Sequence, residues 1–307
     1  MVKLIITLLK ENKDFYKKVR EDFTYHSSTI EGSTVSREDH KKLAEMKKNQ
    51  TIESLHLSAD AKENDVIENL NHLKLFDYVF NNLEEKLTHE AIKKYQFILK
   101  QDSYLSKNVP EEIGKYRITD VKAGHFEAIP HYLVYEKMDE LLKDFQVRQP
   151  ILVDDIAEFH IRYEAIHPFR DGNGRTGRII SFKQCLINNV IPFIVDKDTR
   201  QSYIDSVYIG ETKYDYSYLV SYCLLQQKSF LTKYHQYLNN QKLKLEENER
   251  KVINYLSKNK LVSRKELEKV VGLKERATKN LLKSMINKNL IEITGGSKNS
   301  RYSLKFS

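Results

Sequence analysis

The sequence predicts a mainly α-helical protein in two parts, on three observations. Apolar residues recur at helical spacing through most of residues 1–240, that pattern breaks between Arg117 and Pro130, and beyond about residue 240 both the pattern and the charge change character. A chain of 307 residues has room for about two domains at the usual ~100–200 residues each. With 10 Gly, 5 Pro and no internal period, a repeat architecture is excluded as an expectation.

The apolar run over residues 4–9 is cut short by Lys10, Glu11, Lys13 and Asp14. It is too short for a bilayer span and lacks a small-residue cleavage site, so the expectation is a cytoplasmic protein with no membrane association. Cys185 and Cys223 are the only cysteines; their apolar helical surroundings predict reduced core thiols, neither a disulfide pair nor a zinc set.

Val66, Leu70, Leu73, Phe76 and Phe80 form one core stripe, and Ile92, Tyr95, Ile98 and Leu99 another behind a Thr88 cap. Helices are further predicted over 132–145, 154–166, 175–188 and 216–238. Loose alternation of Ile118, Val121, Phe126 and Ile129 predicts a β-hairpin flap over 117–130. A polar linker over 239–244 follows. Beyond it come helical patterns over 247–257, over 263–271 with Ser263 and Glu266 as a capping box, and over 273–288, with Gly272 as a turn. Strands over 291–294 and 301–305 close the chain as a hairpin.

That order of elements resembles a winged helix-turn-helix. Residues 241–307 hold 17 Lys+Arg against 7 Asp+Glu, whereas residues 1–240 hold 34 against 36. The whole basic excess therefore sits in the last part, which is what a separate module with an anionic partner requires. The resemblance implies DNA contacts from Lys274, Arg276, Lys279 and Lys283 on a recognition helix, and from Lys298 and Arg301 on the wing. A protein-contact role is the competing expectation, since folds of this kind are reused freely.

The chemistry is concentrated in the run His167-Pro168-Phe169-Arg170-Asp171-Gly172-Asn173-Gly174-Arg175-Thr176-Gly177-Arg178. Gly172 and Gly174 let successive N–H groups face one point at a helix start, and Arg175 and Arg178 share one helix face, which together make an anion site. Asp171 beside bound phosphate calls for a bridging cation, Mg²⁺. His167, with an ordinary pKa of ~6.5, suits proton abstraction from a hydroxyl.

The run resembles the Fic family signature, His-Pro-Phe-x-Asp/Glu-Gly-Asn-Gly-Arg-x-x-Arg, at every fixed position, with weaker resemblance over roughly residues 20 to 235. This implies a Fic-type helical core that transfers AMP from ATP to a Tyr, Thr or Ser hydroxyl of an unidentified target protein or of the chain itself, releasing pyrophosphate. His167 would be the catalytic base and Asp171 the Mg²⁺ ligand. Gly172, Asn173 and Gly174 would cradle the α- and β-phosphates, Arg175 and Arg178 would hold the outer ones, and Phe169 would anchor the loop. Tyr203 would lie near the base or ribose, or in the core.

Upstream, Ser27, Glu31 and Gly32 resemble the family's inhibitory motif, Ser/Thr-x-x-x-Glu-Gly/Asn. Glu31 would pair with Arg178 and block alignment of ATP, with Ser27 positioning the inhibitory helix. By the same resemblance the flap docks the target as an added strand, with Val121 and Ile129 as its clamp, and a homodimer is an expectation by analogy. The domains expected are thus residues 1–100 with the inhibitory motif, 101–240 as the Fic core and 241–307 as the winged helix. Two competing functions are a de-AMPylating hydrolase using Glu31, and a DNA-binding regulator whose Fic core senses nucleotide.

Overall fold

The computed structural model of the chain describes residues 1–47, 49–123, 126–238, 247–256, 259, 261–287, 290–295 and 300–304. The chain divides into two units, Met1–His235 and Gln236–Ser307.

The first unit contains α1 (Val2–Glu11), α2 (Lys13–Ile30), α3 (Arg37–Glu45), α4 (Glu63–Asn81), α5 (His89–Lys100), α6 (Tyr104–Asn108), α7 (Val134–Gln146), α8 (Val153–Ile166), α9 (Asn173–Ile187), α10 (Arg200–Lys213) and α11 (Ser217–Lys233). At the start of α2, the Asn12 side chain accepts from the N–H groups of Asp14 and Phe15. At its end, Gly32 N–H donates to Thr29 O and Ser33 N–H to Ser28 O. This is a Schellman closure with Gly32 in the left-handed region at φ +86°, so the chain turns away and Glu31 is left standing at the helix end. Thr88 caps α5 through Ala91 N–H at 3.2 Å.

α9 is the central helix. It packs against α2, α4, α5 and α8, and nearly all of its residues from Asn173 to Leu186 are buried. Phe23 of α2, Phe76 of α4 and Phe182 of α9 meet with ring centroids 5.2–5.5 Å apart. Truncating a buried aromatic of this kind costs about 3–5 kcal/mol, so the cluster holds α2 firmly beside α9. Helices from both sides of residue 100 share this core.

In the first unit, α9, α10 and α4 differ from the sequence expectation. α9 starts at Asn173, two residues early, because Gly172 at φ +89° turns the chain directly into the helix. α10 is a full helix that the apolar pattern does not reveal; its buried residues are Tyr203, Ser206, Val207 and Gly210, and Gly210 is there because a Cβ would strike Ile161. α4 buries Glu68, Asn69, Asn71 and His72 besides its apolar residues, since it is covered by α2, α3, α5 and α9 together.

Between α6 and α7, β1 (Lys122–Ala123) and β2 (Phe126–Glu127) form an antiparallel hairpin, with Lys122 opposite Glu127 and Ala123 opposite Phe126.

The second unit holds α12 (Glu247–Leu256), β3 (Val262–Ser263), α13 (Arg264–Val271), α14 (Glu275–Asn287), β4 (Ile291–Thr294) and β5 (Arg301–Leu304). Ser263 and Glu266 form the capping box of α13, and Gly272 at φ +68° ends it. β3, too short to show alternation, adds a third strand, giving an antiparallel sheet in the order β3-β5-β4. Val252, Leu256, Val262, Leu267, Leu282, Met285 and Ile291 make this unit's own core. Among the described residues, no helix is long and apolar enough to cross a membrane.

Candidate active site

The loop between α8 and α9 is over-determined by its own side chains. α8 ends at His167, which adopts φ +50° and donates its N–H to Tyr163 O at 3.0 Å. Phe169 is fully buried, 5.4 Å from the Tyr116 ring. The Asn173 amide closes the loop in both directions: Oδ1 accepts Phe169 N–H at 2.9 Å and Nδ2 donates to Phe169 O at 2.8 Å. The Asn173 amide thus shapes the loop at the place where the sequence leads one to expect the phosphate cradle. Gly172 is required by its backbone angle and by space, since a Cβ would lie 3.0 Å from Leu99 Cδ2. The N–H groups of the first turn of α9 have no intrahelical acceptor, so the helix presents its positive end at Gly174.

The His167 ring is oriented by Nδ1, which lies 3.3 Å from Glu164 O. A carbonyl only accepts, so this bond assigns the proton to Nδ1 and leaves the lone pair on Nε2. Burial holds the His167 pKa below its usual value, which keeps the ring in the form that accepts a proton.

Around Asp171 the structure assembles four charges, two of which the motif does not contain. Glu68 of α4 accepts from Lys100 at 2.6 Å and from Arg175 at 2.5 Å. Lys100, fully buried on α5, also donates to Asp171, and Arg175 lies 3.5 Å from the other Asp171 oxygen. Although burial opposes it, Lys100 and then Arg175 hold the Asp171 carboxyl below its usual pKa. The Asp171 side chain is 51% exposed. Among the described residues no group of three or more His, Cys, Asp or Glu could hold a metal ion. A single ionised, half-exposed carboxylate suits instead an ion that keeps several waters and takes its remaining ligands from phosphates, which is the habit of Mg²⁺.

Arg178 is engaged on every side by residues of α2 and α10. Nε donates to Ser27 Oγ at 2.9 Å, and Nη2 donates to Ser27 O at 2.8 Å and to Glu31 Oε1 at 2.7 Å. Nη1 lies 3.5 Å from the Tyr203 hydroxyl, which is 2.6 Å from His160 Nε2. Burial would lower the Arg178 pKa, but Glu31 more than offsets it; conversely Arg178 and Arg175 hold Glu31 below the usual carboxylate range against its own burial. Gly174 makes room for this pair, since a Cβ there would collide with Glu31 Oε1. Arg200 Nε donates to Ile30 O at 2.8 Å and pins the end of α2 to α10.

A cavity of about 490 Å³ opens over these groups. Its walls include Glu31, Gly174 and Arg178 on one side, His167 and Glu164 on another, and Arg200, Tyr203, Ile204, Asp205, Val207, Tyr208 and Glu211 of α10. Burial pushes the pKa of both Glu164 and Glu211 up to about 8, and pulls that of His160 down to about 3.

The structure thus brings together His167, Asp171, Gly172, Asn173, Gly174, Arg175, Arg178, Ser27, Glu31 and Tyr203. Val121 and Ile129 stand half-buried at the two ends of the hairpin, where Val121 O accepts Ala128 N–H at 3.2 Å. The Arg170 side chain is 44% exposed and pairs with Glu112 at 3.1 Å. In the second unit Lys274, Arg276, Lys279, Lys283 and Arg301 are exposed, and Lys298 lies outside the described residues. Sequence reasoning missed Glu68, Lys100, Arg117, His160, Glu164, Arg200 and Glu211. The available signal was a charged residue on or beside a buried stripe, as with Glu68 after Val66 and Lys100 after Leu99.

Residues 86–185 match the Fic/DOC family model. Protein adenylyltransferase fic-1 of Caenorhabditis elegans is 29% identical over 104 residues, covering 33% of this chain and 20% of that protein. Protein adenylyltransferase Fic of Nematostella vectensis is 30% identical over 186 residues, 59% of this chain and 41% of that one. The chain therefore spans less than half the length of these curated relatives. Among solved structures, C. elegans Fic-1 superposes with a TM-score of 0.59 at 20% identity, over 76% of this chain and 66% of that chain. A Fic family protein from Desulfovibrio desulfuricans superposes at 0.56 and 19% identity, over 99% of this chain and 93% of the other. At these identities the likeness is one of fold.

Proposed function

We propose that the chain is a self-restrained protein adenylyltransferase. The observation that carries the reading is the cavity shared by His167, with its lone pair on Nε2, and by Arg178 and the first turn of α9, a base and an anion site facing one space. In the proposed reaction a target hydroxyl oxygen bonds to the α-phosphorus of ATP, the bond from that phosphorus to the bridging oxygen breaks, and pyrophosphate leaves. His167 Nε2 takes the hydroxyl proton. Gly172 and Gly174 N–H groups and Arg178 hold phosphate oxygens, and such fixed donors contribute most where charge develops on oxygen. Mg²⁺, when bound at Asp171, would neutralise phosphate charge.

Glu31 is the restraint in this reading. Its carboxylate occupies the guanidinium that an outer phosphate needs, and charge-assisted bonds of this kind are among the strongest available to either. Ser27 adds two acceptors to the same guanidinium, so release requires α2 to yield, or Glu31 alone to swing aside. The hairpin with Val121 and Ile129 is assigned to docking of the target as an added strand. The second unit is assigned as a winged helix, with α14 as its recognition helix; its exposed Lys274, Arg276, Lys279 and Lys283 favour an anionic partner such as DNA.

The test is transfer of label from α-labelled ATP with Mg²⁺ to the protein itself and to a cell lysate. Glu31→Gly should label protein, and Glu31→Gly with His167→Ala should not. Absence of label in Glu31→Gly despite ATP binding would contradict the reading. Turnover of AMP-modified protein that requires Glu31 would support the hydrolase instead.

A further inference from the structure

The hairpin and the histidine that ends α8 are joined by one guanidinium, that of Arg117. Its side chain is completely buried, and its donors face four main-chain oxygens. Nε donates to His167 O at 2.8 Å, Nη1 to Thr119 O at 3.0 Å, and Nη2 both to Ile166 O at 3.3 Å and to Ile129 O. The Arg117 N–H donates to Pro168 O at 2.9 Å. Ile166 and His167 supply carbonyls at the C-terminal end of α8, where intrahelical donors run out and the helix dipole is negative. Thr119 and Ile129 flank the hairpin, one before β1 and one after β2. Asp120, 3.6 Å from Nη1, closes the same base by accepting His131 N–H at 2.8 Å. Burial lowers the Arg117 pKa, yet a guanidinium remains charged in proteins.

A planar fork is what this arrangement needs, because it can meet carbonyls from two elements at fixed angles, which an ammonium on a flexible stem cannot. His167 adopts a left-handed backbone that a residue with a Cβ rarely takes, and the Arg117 bond to its carbonyl helps fix it. The same group therefore sets both the base and the platform beside it.

We propose that Arg117 is a positioning residue that fixes the hairpin relative to the His167 ring, so that a hydroxyl carried on a docked strand arrives in line with Nε2. This rests on the transferase reading. Water needs no docked strand, so Arg117 governs how adenylyl transfer divides between protein hydroxyls and water more than it governs ATP binding.

The experiment compares Arg117, Arg117→Lys and Arg117→Gln in the Glu31→Gly background. From α-labelled ATP it reads protein-bound label and AMP released to water, with ATP affinity by calorimetry and amide hydrogen exchange at residues 118–123 and 126–129. A misplacement of about 1 Å costs about a hundredfold, so protein labelling should fall by that factor in Arg117→Gln, while AMP release falls less than about tenfold and ATP affinity stays within about twofold. Arg117→Lys, which keeps the charge but loses the fork, should lie between, and exchange at the hairpin should quicken in both. Unchanged labelling and exchange would overturn the proposal, as would parallel loss of labelling, AMP release and ATP binding. A Glu31→Gly protein that releases AMP but labels no protein would overturn the transferase reading and the docking role together.

Discussion

In the first unit Arg175 and Arg178 are buried, and each meets a glutamate from the N-terminal helices, at 2.5 and 2.7 Å. In the second unit Lys274, Arg276, Lys279 and Lys283 are exposed, and Lys279 pairs with Glu275 at 3.1 Å, a neighbour on its own helix. The same residue types follow two different rules. Buried guanidiniums need a counter-charge at every moment, so whatever carboxylate or phosphate serves them acts as a switch. Exposed lysines are screened and additive, so they set affinity for a polyanion in small salt-dependent steps.

Within the first unit the contrast repeats on a finer scale. The Glu68 side chain is 9% exposed and is held by Lys100 as well as Arg175. That of Glu31 is 37% exposed, at the end of a helix and facing the cavity. On the proposed reading, the first pair is built in and the second can be exchanged for a phosphate.

The largest effect that would sharpen this contrast is on chemistry. In the Glu31→Gly background, His167→Ala should lower transfer by about 10²–10⁴-fold, the range of general-base catalysis, with ATP affinity kept. Next comes stability. Glu68→Gln strips a buried counter-charge from Lys100 and Arg175 and should cost about 3–5 kcal/mol in urea unfolding. Glu31→Gln, where Arg178 is buried but the Glu31 side chain is 37% exposed and Ser27 still accepts from the guanidinium, should cost less, about 1.5–3 kcal/mol. Equal costs would break the distinction between the two glutamates. Smaller again, Lys279→Glu with Lys283→Glu should weaken random-duplex binding at low salt and reduce the salt slope by about 0.9 for each phosphate no longer neutralised, leaving label transfer unchanged.

The pH dependence follows from the burial of two groups. The lowered pKa of His167 leaves its ring unprotonated further into acid, so the acid limb of transfer by Glu31→Gly should fall below the ~6.5 of an ordinary histidine. The Glu164 carboxyl stays neutral in the fold to about 8, whereas in the unfolded chain it ionises from ~4.3 upward. The fold therefore loses stability as pH rises between those values, and Glu164→Gln should raise Tm by a few degrees at pH ~8 and by less at pH ~5.

Much of the site was legible because its determinants are local. Gly172, Asn173 and the arginine spacing declare a tight turn into a helix, and Gly32 declares the helix end that leaves Glu31 standing. Glu68 and Lys100 were not legible, because their bonds to Arg175 and Asp171 join residues 107 and 71 positions apart. Arg117 lay in the stretch where periodicity fails, and nothing local announces four carbonyls converging on one side chain. α10 was hidden because its inner face is Tyr203, Ser206, Val207 and Gly210, a face selected to admit Ile161 and a cavity rather than to look apolar.

The central claim is that the charge of Glu31 withholds Arg178 from ATP. It is tested most directly by comparing label transfer from α-labelled ATP by the unmodified protein and by Glu31→Gln, which keeps the size of the side chain and removes its charge. The account predicts that Glu31→Gln gains transfer by about tenfold or more, in line with the 1.5–3 kcal/mol of a charge-assisted bond. Transfer that stays at the unmodified level in Glu31→Gln and rises only in Glu31→Gly would contradict it, and would make the restraint one of bulk.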